Sequence, residues 1–236
     1  MRKIHISNIM LPDNVGQKMI NTIYGNLTFM AKDKKIIAIT SCHDGEGKTY
    51  MTMQLSRTIA HAGKRVVVVD ADIGHSHMAV DYGMILPEKM QGLGNYLVGQ
   101  CEWADVVYTT NINNLFLIPN TKLYEMSSLL FHSLRFYELL QMLSETYDFV
   151  VIDTPEASGT IDTAKITSYC EGIIFVVKYN GTKKRDISEV MTQLEKAGCP
   201  IIGCVINNVT FKSMISRKRY HFLRTPILTK LKKKFL

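Results

Sequence analysis

The chain of 236 residues lacks the features that mark several specialised classes of protein. No apolar run approaches the roughly 18 residues that cross a bilayer, and the N-terminus lacks the apolar stretch and cleavage site of a secretory signal. With 15 glycines, six prolines, 46% hydrophobic and 21% charged residues, it is not collagen-like, disordered or a disulfide scaffold. We therefore expect a compact α/β protein on the cytoplasmic side of the membrane.

Cysteine is scarce and scattered. The five cysteines are odd in number and form no CxxC pair, which argues against a zinc or dithiol redox site. They are Cys42, Cys101, Cys170, Cys199 and Cys204. We interpret them as ordinary thiols of the interior.

Acidic residues are absent from the C-terminal stretch 211–236, which holds nine of the 28 lysines and arginines. The rest of the chain has 19 basic against 21 acidic residues, so the net charge of +7 lies in this tail. If 227–236 is helical, its apolar residues share one stripe and its lysines fall outside it. That pattern suits an anionic membrane surface or an acidic partner, and a frayed, solvated terminus is the alternative. The pattern does not indicate nucleic acid as the partner, because no stacking or groove-reading motif accompanies the charge.

Short apolar runs alternate with helical periods from residue 36 onward, which predicts βαβ units and a mostly parallel sheet. The predicted strands are 36–40, 66–70, 115–118, 149–153, 173–177 and 201–207, and the predicted helices lie near 51–62, 136–143 and 187–194. We expect three regions: an N-terminal arm over 1–33 with a helix near 15–30, a nucleotide-binding domain over 34–210, and the tail 211–236.

A phosphate-binding loop follows the first of these strands, in the stretch 41–49 (SCHDGEGKT). Gly47, Lys48 and Thr49 match the end of a Walker A motif, whereas Cys42 stands where its first glycine normally lies. Gly45 and Gly47 free the backbone to wrap a phosphate, and Lys48 adds a positive charge. An ordinary strand–turn–helix loop with a surface lysine is the alternative.

Two further strands end in aspartate. Asp70 and Asp72 follow one and Asp153 ends another, and the carboxyl ends of parallel strands meet at the edge where α/β proteins bind ligands. Carboxylates there hold Mg²⁺ with its waters, although each alone is equally consistent with a solvated strand end. The loop and the three carboxylates together predict nucleotide binding.

The ordered motifs SCHDGEGKT, VVVVDADIG and YDFVVIDTPE resemble the Walker A, A′ and B motifs of the bacterial tyrosine kinases (BY-kinases) of capsule and exopolysaccharide synthesis. These kinases belong to the clan of MinD- and ParA-like deviant P-loop ATPases. The resemblance covers roughly residues 15–210. It implies an α/β P-loop NTPase fold, a mostly parallel twisted sheet with helices on both faces. The Min and Par branch has a signature lysine where this chain has His43, and the GEGK form favours the kinase branch.

The resemblance also implies roles for individual residues. ATP would be bound by Asp44, Gly45, Glu46, Gly47, Lys48, Thr49 and Tyr50, with Asn207 at the adenine. Mg²⁺ would be held by Thr49, Asp70 and Asp153. Lys48, Asp70 and Asp72 would be catalytic, with the aspartates activating a tyrosine hydroxyl. For Asn207, a simple turn residue is the alternative.

The chain departs from the family pattern in three places. Ile73 is followed by Gly74–His77, where the family has an arginine, and His75 and His77 alone are more typical of a loop than of a metal site. The N-terminal helix lacks the family's charged ring-assembly pattern. After Tyr179 the only tyrosine is Tyr220, whereas the kinases end in a tyrosine cluster.

The resemblance thus implies an ATP-dependent protein-tyrosine kinase of capsule or exopolysaccharide biosynthesis at the inner face of the membrane. The expected partners are a membrane-embedded chain-length adaptor, a homo-oligomer and an anionic membrane surface. The alternative is a MinD- or ParA-type membrane-associated ATPase switch without kinase activity. A non-catalytic scaffold stabilised by nucleotide is the third hypothesis.

Overall fold

The structure is a computed structural model that describes residues 2–121, 127–159 and 161–209. Its strands are β1 (Lys3–Ile6), β2 (Ile36–Ser41), β3 (Val66–Asp70), β4 (Met84–Ile85), β5 (Tyr108–Thr110), β6 (Leu115–Ile118), β7 (Phe149–Asp153), β8 (Gly172–Lys178) and β9 (Ile201–Asn207). Its helices are α1 (Asn14–Met30), α2 (Lys48–His61), α3 (Met78–Asp81), α4 (Leu93–Leu97), α5 (Trp103–Val106), α6 (Ser127–Phe131), α7 (Leu134–Thr146), α8 (Ile161–Thr167) and α9 (Lys184–Lys196).

In these residues the strands form one sheet in the order β4-β1-β5-β6-β3-β7-β2-β8-β9. Six neighbouring strands of this sheet, β6, β3, β7, β2, β8 and β9, pair in parallel. In contrast, β5 runs antiparallel to β6, and β4 runs antiparallel to β1. Parallel strands are buried on both faces, which explains why β2 and β3 read as unbroken apolar runs rather than as alternating patterns. The expected mostly parallel sheet is confirmed.

Helices cover both faces of the sheet. One face packs against α1 and α2, with Leu55 and Ile59 of α2 meeting Val66 and Val68 of β3. The other face packs against α7, α8 and α9. Because side chains alternate along a strand, the intervening valines of β3 serve this second face. This three-layer arrangement fixes the carboxyl edge of the sheet, where the predicted site lies.

The predicted strands and helices of the central region are present, with ends that differ by a few residues. The predicted N-terminal helix is α1, and the Asp13 carboxylate caps it by accepting the Gly16 backbone N–H at 2.7 Å. The sequence pattern missed β1, which pairs with β4 and β5 and so brings the first residues into the sheet. A strand of four residues carries too short a pattern to be recognised. The predicted tail lies outside the described residues.

None of the helices in the described part of the chain combines the length and apolar character needed to cross a bilayer.

Candidate active site

The phosphate-binding loop joins the end of β2 to the start of α2. Gly45 and Gly47 have φ values of 69° and 93°, a left-handed backbone that side chains other than glycine rarely adopt. Gly47 is also the N-cap of α2, and a Cβ there would lie 2.1 Å from Asn207 Nδ2. Since no side chain caps α2, its first N–H groups are left to bind an anion.

Lys48 begins α2 and reaches two carboxylates. Its Nζ lies 3.4 Å from Asp72 Oδ2 and 3.4 Å from Asp44 Oδ1, and the Lys48 side chain is only 7% exposed. Burial alone lowers the pKa of Lys48, but Asp153, Asp72 and Asp44 more than offset it and leave the pKa above its ordinary value. Lys48 is therefore a fixed positive charge at the loop.

Asp70 and Asp153 are direct neighbours across the β3–β7 ladder, and both are almost completely buried. Burial raises the pKa of Asp70 to about 7, with a further rise from the Asp153 charge. Burial likewise raises the pKa of Asp153 to about 6, although Lys48 lowers it in part. Two carboxylates held together out of water favour either a proton or a bound cation.

The hydrogen bonds that the described residues make to these carboxylates leave one buried oxygen unpaired. The Ser76 hydroxyl donates to Asp70 Oδ2, and the Thr52 hydroxyl donates to Asp153 Oδ1 at 3.2 Å. Thr49 also bonds to Asp153. Asp70 Oδ1 is buried and has no hydrogen-bond partner among the described residues, which fits an arrangement built to receive a cation.

The donor set suits magnesium delivered with a nucleotide. In the described residues, no three His, Cys, Asp or Glu side chains are grouped closely enough to hold a metal on their own. Mg²⁺ is usually held by one or two carboxylates together with phosphate oxygens and waters, so it does not need such a group. Thr49, Asp70 and Asp153 supply oxygen ligands of the right kind beside the loop.

The phosphate-binding loop, Asp72 and Asp153 line a cleft of about 190 Å³. Eight of the predicted site residues line it: Asp44, Gly45, Gly47, Lys48, Thr49, Tyr50, Asp72 and Asp153. The structure thus brings the loop together with Asp72 and Asp153 at one cleft. Tyr50 is one of these lining residues, and burial raises the pKa of its hydroxyl.

Three predicted site residues do not line the cleft. Asp70 lies behind it, next to Asp153. The Glu46 carboxylate turns into the loop and accepts the Cys42 backbone N–H at 2.9 Å. Asn207 Nδ2 donates to the Glu46 carbonyl at 2.9 Å, so the Asn207 amide faces the loop. The side chains of Glu46 and Asn207 therefore support the loop, and a direct nucleotide contact by either remains a prediction.

The cleft also contains residues that the sequence patterns did not assign to it. They are Met10, His75, Ser76, His77, Asp81 and Tyr82. The short interval between Asp72 and the histidines was a signal for His75 and His77, which were interpreted as loop residues. No local pattern marks Met10 or Tyr82, because they come from β1–α1 and α3–β4 connections that only the folded sheet brings to this edge.

Comparison with known proteins places most of the chain in a known family. The model of the AAA domain family AAA_31 matches residues 34–198. The tyrosine-protein kinase CpsD of Streptococcus agalactiae is 30% identical over 193 residues, which cover 82% of this chain and 83% of that protein. The tyrosine-protein kinase wzc of Salmonella typhi is 26% identical over 202 residues, which cover 84% of this chain and 27% of that protein.

Solved structures give the same result for the fold. The kinase domain of VpsO superposes with a TM-score of 0.75 at 25% identity, covering 83% of this chain and 96% of that chain. The septum site-determining protein MinD of Pyrococcus horikoshii, complexed with Mg-ADP, superposes with a TM-score of 0.63 at 26% identity, covering 73% and 69%. The expected P-loop NTPase fold is confirmed.

Proposed function

We infer the function of this chain from one premise, which is that it belongs to the AAA_31 family of AAA domains and, within that fold, to the bacterial tyrosine-protein kinases. We propose that it transfers the γ-phosphoryl group of Mg-ATP to tyrosine. The observation that carries the proposal is the convergence of Lys48, Asp72 and Asp153 on one cleft at the carboxyl edge of the sheet. Phosphoryl transfer needs little more than positioning and charge stabilisation, and this cleft offers both.

One wall of the cleft is formed by the phosphate-binding loop and Lys48, and we call it the loop wall. In this proposal it binds the phosphates. Backbone N–H groups of 44–50 and the N-terminus of α2 face the phosphate oxygens, and Lys48 neutralises charge at the β- and γ-phosphates. Thr49, Asp70 and Asp153 hold Mg²⁺, which when bound supplies further positive charge at the phosphates. The fit rests on the buried, unpaired Asp70 Oδ1 and on the hydrogen bond between Thr49 and Asp153.

Asp72 acts on the acceptor. Its Oδ1 accepts the His75 backbone N–H at 3.2 Å, and its Oδ2 lies 3.4 Å from Lys48 Nζ, so the carboxylate is held at the cleft wall. From there it orients the tyrosine hydroxyl and takes its proton as the phosphoryl group is transferred. Because Asp72 lies beside Lys48, the proton acceptor and the charge that stabilises the phosphoryl group are close together.

The cellular setting is also part of the proposal. The relatives named tyrosine-protein kinase support a role in capsule or exopolysaccharide biosynthesis. A place at the inner face of the membrane and a membrane-embedded chain-length adaptor as activator are further parts of the proposal. Homo-oligomerisation and attraction of the basic tail to anionic lipid belong to the same proposal. The acceptor is either Tyr220 or a tyrosine of another protein.

The test is a kinase assay on the full chain. We expect labelled ATP, Mg²⁺ and the cytoplasmic segment of the adaptor to yield phosphotyrosine, and Lys48→Met to abolish it. Tyr220→Phe identifies the acceptor, because unchanged labelling places it elsewhere. If wild-type protein releases phosphate but forms no phosphotyrosine on itself, the adaptor or an added tyrosine copolymer, the kinase proposal is wrong.

The second candidate is a MinD-type ATPase switch, which the superposition on MinD with Mg-ADP favours. His43 argues for the kinase instead. It stands at the position of the Min-type signature lysine, yet it does not line the cleft and its Nε2 lies 3.0 Å from Asp186 Oδ2. Liposome binding that requires ATP and 226–236, without phosphotyrosine, would favour the switch.

A further inference from the structure

Glu46 is an acid inside a loop that binds anions, and its side chain does not face the cleft. The residue is 3% exposed, and its carboxylate accepts two hydrogen bonds. The Cys42 backbone N–H donates to Oε2 at 2.9 Å, and the Thr182 hydroxyl donates to Oε1. One carboxylate therefore ties the two ends of the loop together and joins the loop to the β8–α9 connection.

Asn207 holds the same segment from β9. Its Nδ2 donates to the Glu46 carbonyl at 2.9 Å, and its own carbonyl accepts the Tyr179 backbone N–H at 2.9 Å. Asn207 thus lies between the end of the β8–β9 ladder and the loop. The close approach of Nδ2 to Gly47 leaves no room for a side chain at that position.

The loop needs such support because its own backbone is permissive. Gly45 and Gly47 both have positive φ. Several backbone conformations of glycine are similar in energy, so glycine alone does not hold the loop in one of them. A loop that samples several conformations binds more weakly, because the apparent dissociation constant is divided by the fraction of molecules in the competent state. Contacts that fix the loop beforehand therefore raise its affinity for phosphate.

We propose that Glu46, Thr182 and Asn207 form a brace that holds the phosphate-binding loop in its anion-binding conformation before the nucleotide arrives. They are positioning residues, and Asn207 contributes to the brace through its bond to the Glu46 carbonyl. The inference rests on the proposed function in one respect, which is that this loop binds the phosphates of ATP.

The test compares Mg-ATP with Mg-tripolyphosphate, which has the phosphates but no base, by titration calorimetry on the full chain. Thr182→Val removes the hydroxyl and leaves Glu46 Oε1 buried without its partner. Asn207→Ala removes the bond to the loop. We expect each variant to bind both ligands roughly tenfold more weakly than wild type does, because lost loop order affects both ligands alike.

Two variants serve as controls. Thr192→Val makes the same change on the exposed face of α9. Among the described residues, the Thr192 hydroxyl donates only to the Ser188 carbonyl of its own helix, so we expect unchanged affinity. Thr182→Ser keeps the hydroxyl and should restore wild-type affinity for both ligands. Urea unfolding of each variant separates an effect on binding from an effect on stability.

The possible outcomes are distinct. If Thr182→Val is less stable but binds tripolyphosphate as wild type does, the brace is merely structural and the inference is wrong. If Asn207→Ala weakens ATP but not tripolyphosphate, Asn207 contacts the base and its part in the brace is overturned. If wild-type protein binds neither ligand, the proposed function fails first, and the brace loses its purpose with it.

Discussion

The two walls of the cleft differ in how well their charges are compensated by the protein itself. On the loop wall, Lys48 lies within 3.4 Å of both Asp44 and Asp72. On the carboxylate wall, Asp153 lines the cleft and its neighbour Asp70 lies directly behind it. Both are buried, and their pKa values are raised to about 6 for Asp153 and about 7 for Asp70. The charges of the loop wall are therefore paired within the protein, whereas the buried carboxylates of the other wall are electrostatically unfavourable without a bound cation.

This difference shows where the fold has been shaped for a ligand. Burying two neighbouring carboxylates costs stability, and the unpaired oxygen Asp70 Oδ1 gains nothing from the described residues in return. A cation would relieve both penalties at once. The loop wall has no such deficit, and what it needs is a fixed conformation.

The largest effect is expected from Lys48→Met, which removes the charge that serves both walls. Phosphotyrosine formation should fall by roughly 1,000-fold, because the γ-phosphate loses its stabilising charge. Steady-state assays with Mg-ATP measure this loss. Lys64→Met removes a lysine whose side chain is 53% exposed, and it should leave the rate unchanged. Equal rates for wild type and Lys48→Met would contradict the assignment of the loop wall.

Asp72→Asn tests the proposed proton acceptor, which lies beside Lys48. The amide can still accept the His75 N–H, but it no longer takes a proton from the acceptor hydroxyl. We expect kcat to fall roughly 100-fold while KM for ATP changes much less. Asp33→Asn, on the exposed turn after α1, is the matched control. A rise in KM alone would mean that Asp72 binds nucleotide and does not act on the acceptor.

Asp70→Asn tests the electrostatic cost of the carboxylate wall. Because burial raises the pKa of Asp70 to about 7, the folded state holds its proton more tightly than the unfolded state does. The stability from Asp70 is full below about pH 4 and is lost as the pH rises through about 7, by up to about 4 kcal/mol. Urea unfolding without nucleotide should show a smaller decline for Asp70→Asn than for wild type. Parallel curves would show that Asp70 does not carry the penalty.

The smallest effect is expected from Asp44→Asn. The Asp44 side chain is 78% exposed, so its ion pair with Lys48 is screened by water, and the backbone N–H at this position is retained. We expect the affinity for Mg-ATP to change by less than about twofold in calorimetry. A larger loss would mean that the Asp44 carboxylate itself contributes to the site.

Sequence patterns were sufficient for the parts of the molecule that depend on neighbours along the chain. The loop and α2 follow from glycines beside a helical period, and β3 and β7 follow from apolar runs that end in aspartate. The short β1 and the cleft residue Tyr82 were missed, because neither carries a local signal strong enough to distinguish it from a turn or an ordinary core residue.

By itself the sequence determined the succession of strands and helices along the chain and the position of the phosphate-binding loop. It also determined that three carboxylates lie at one edge of the sheet. Only the tertiary structure decided that Asp70 lies behind the cleft, that Glu46 faces into its own loop, and that Asn207 supports the loop. The physical reason is distance along the chain. Asn207 and Glu46 are 161 residues apart, and no local pattern records which of two distant polar groups will meet once the strands between them have paired.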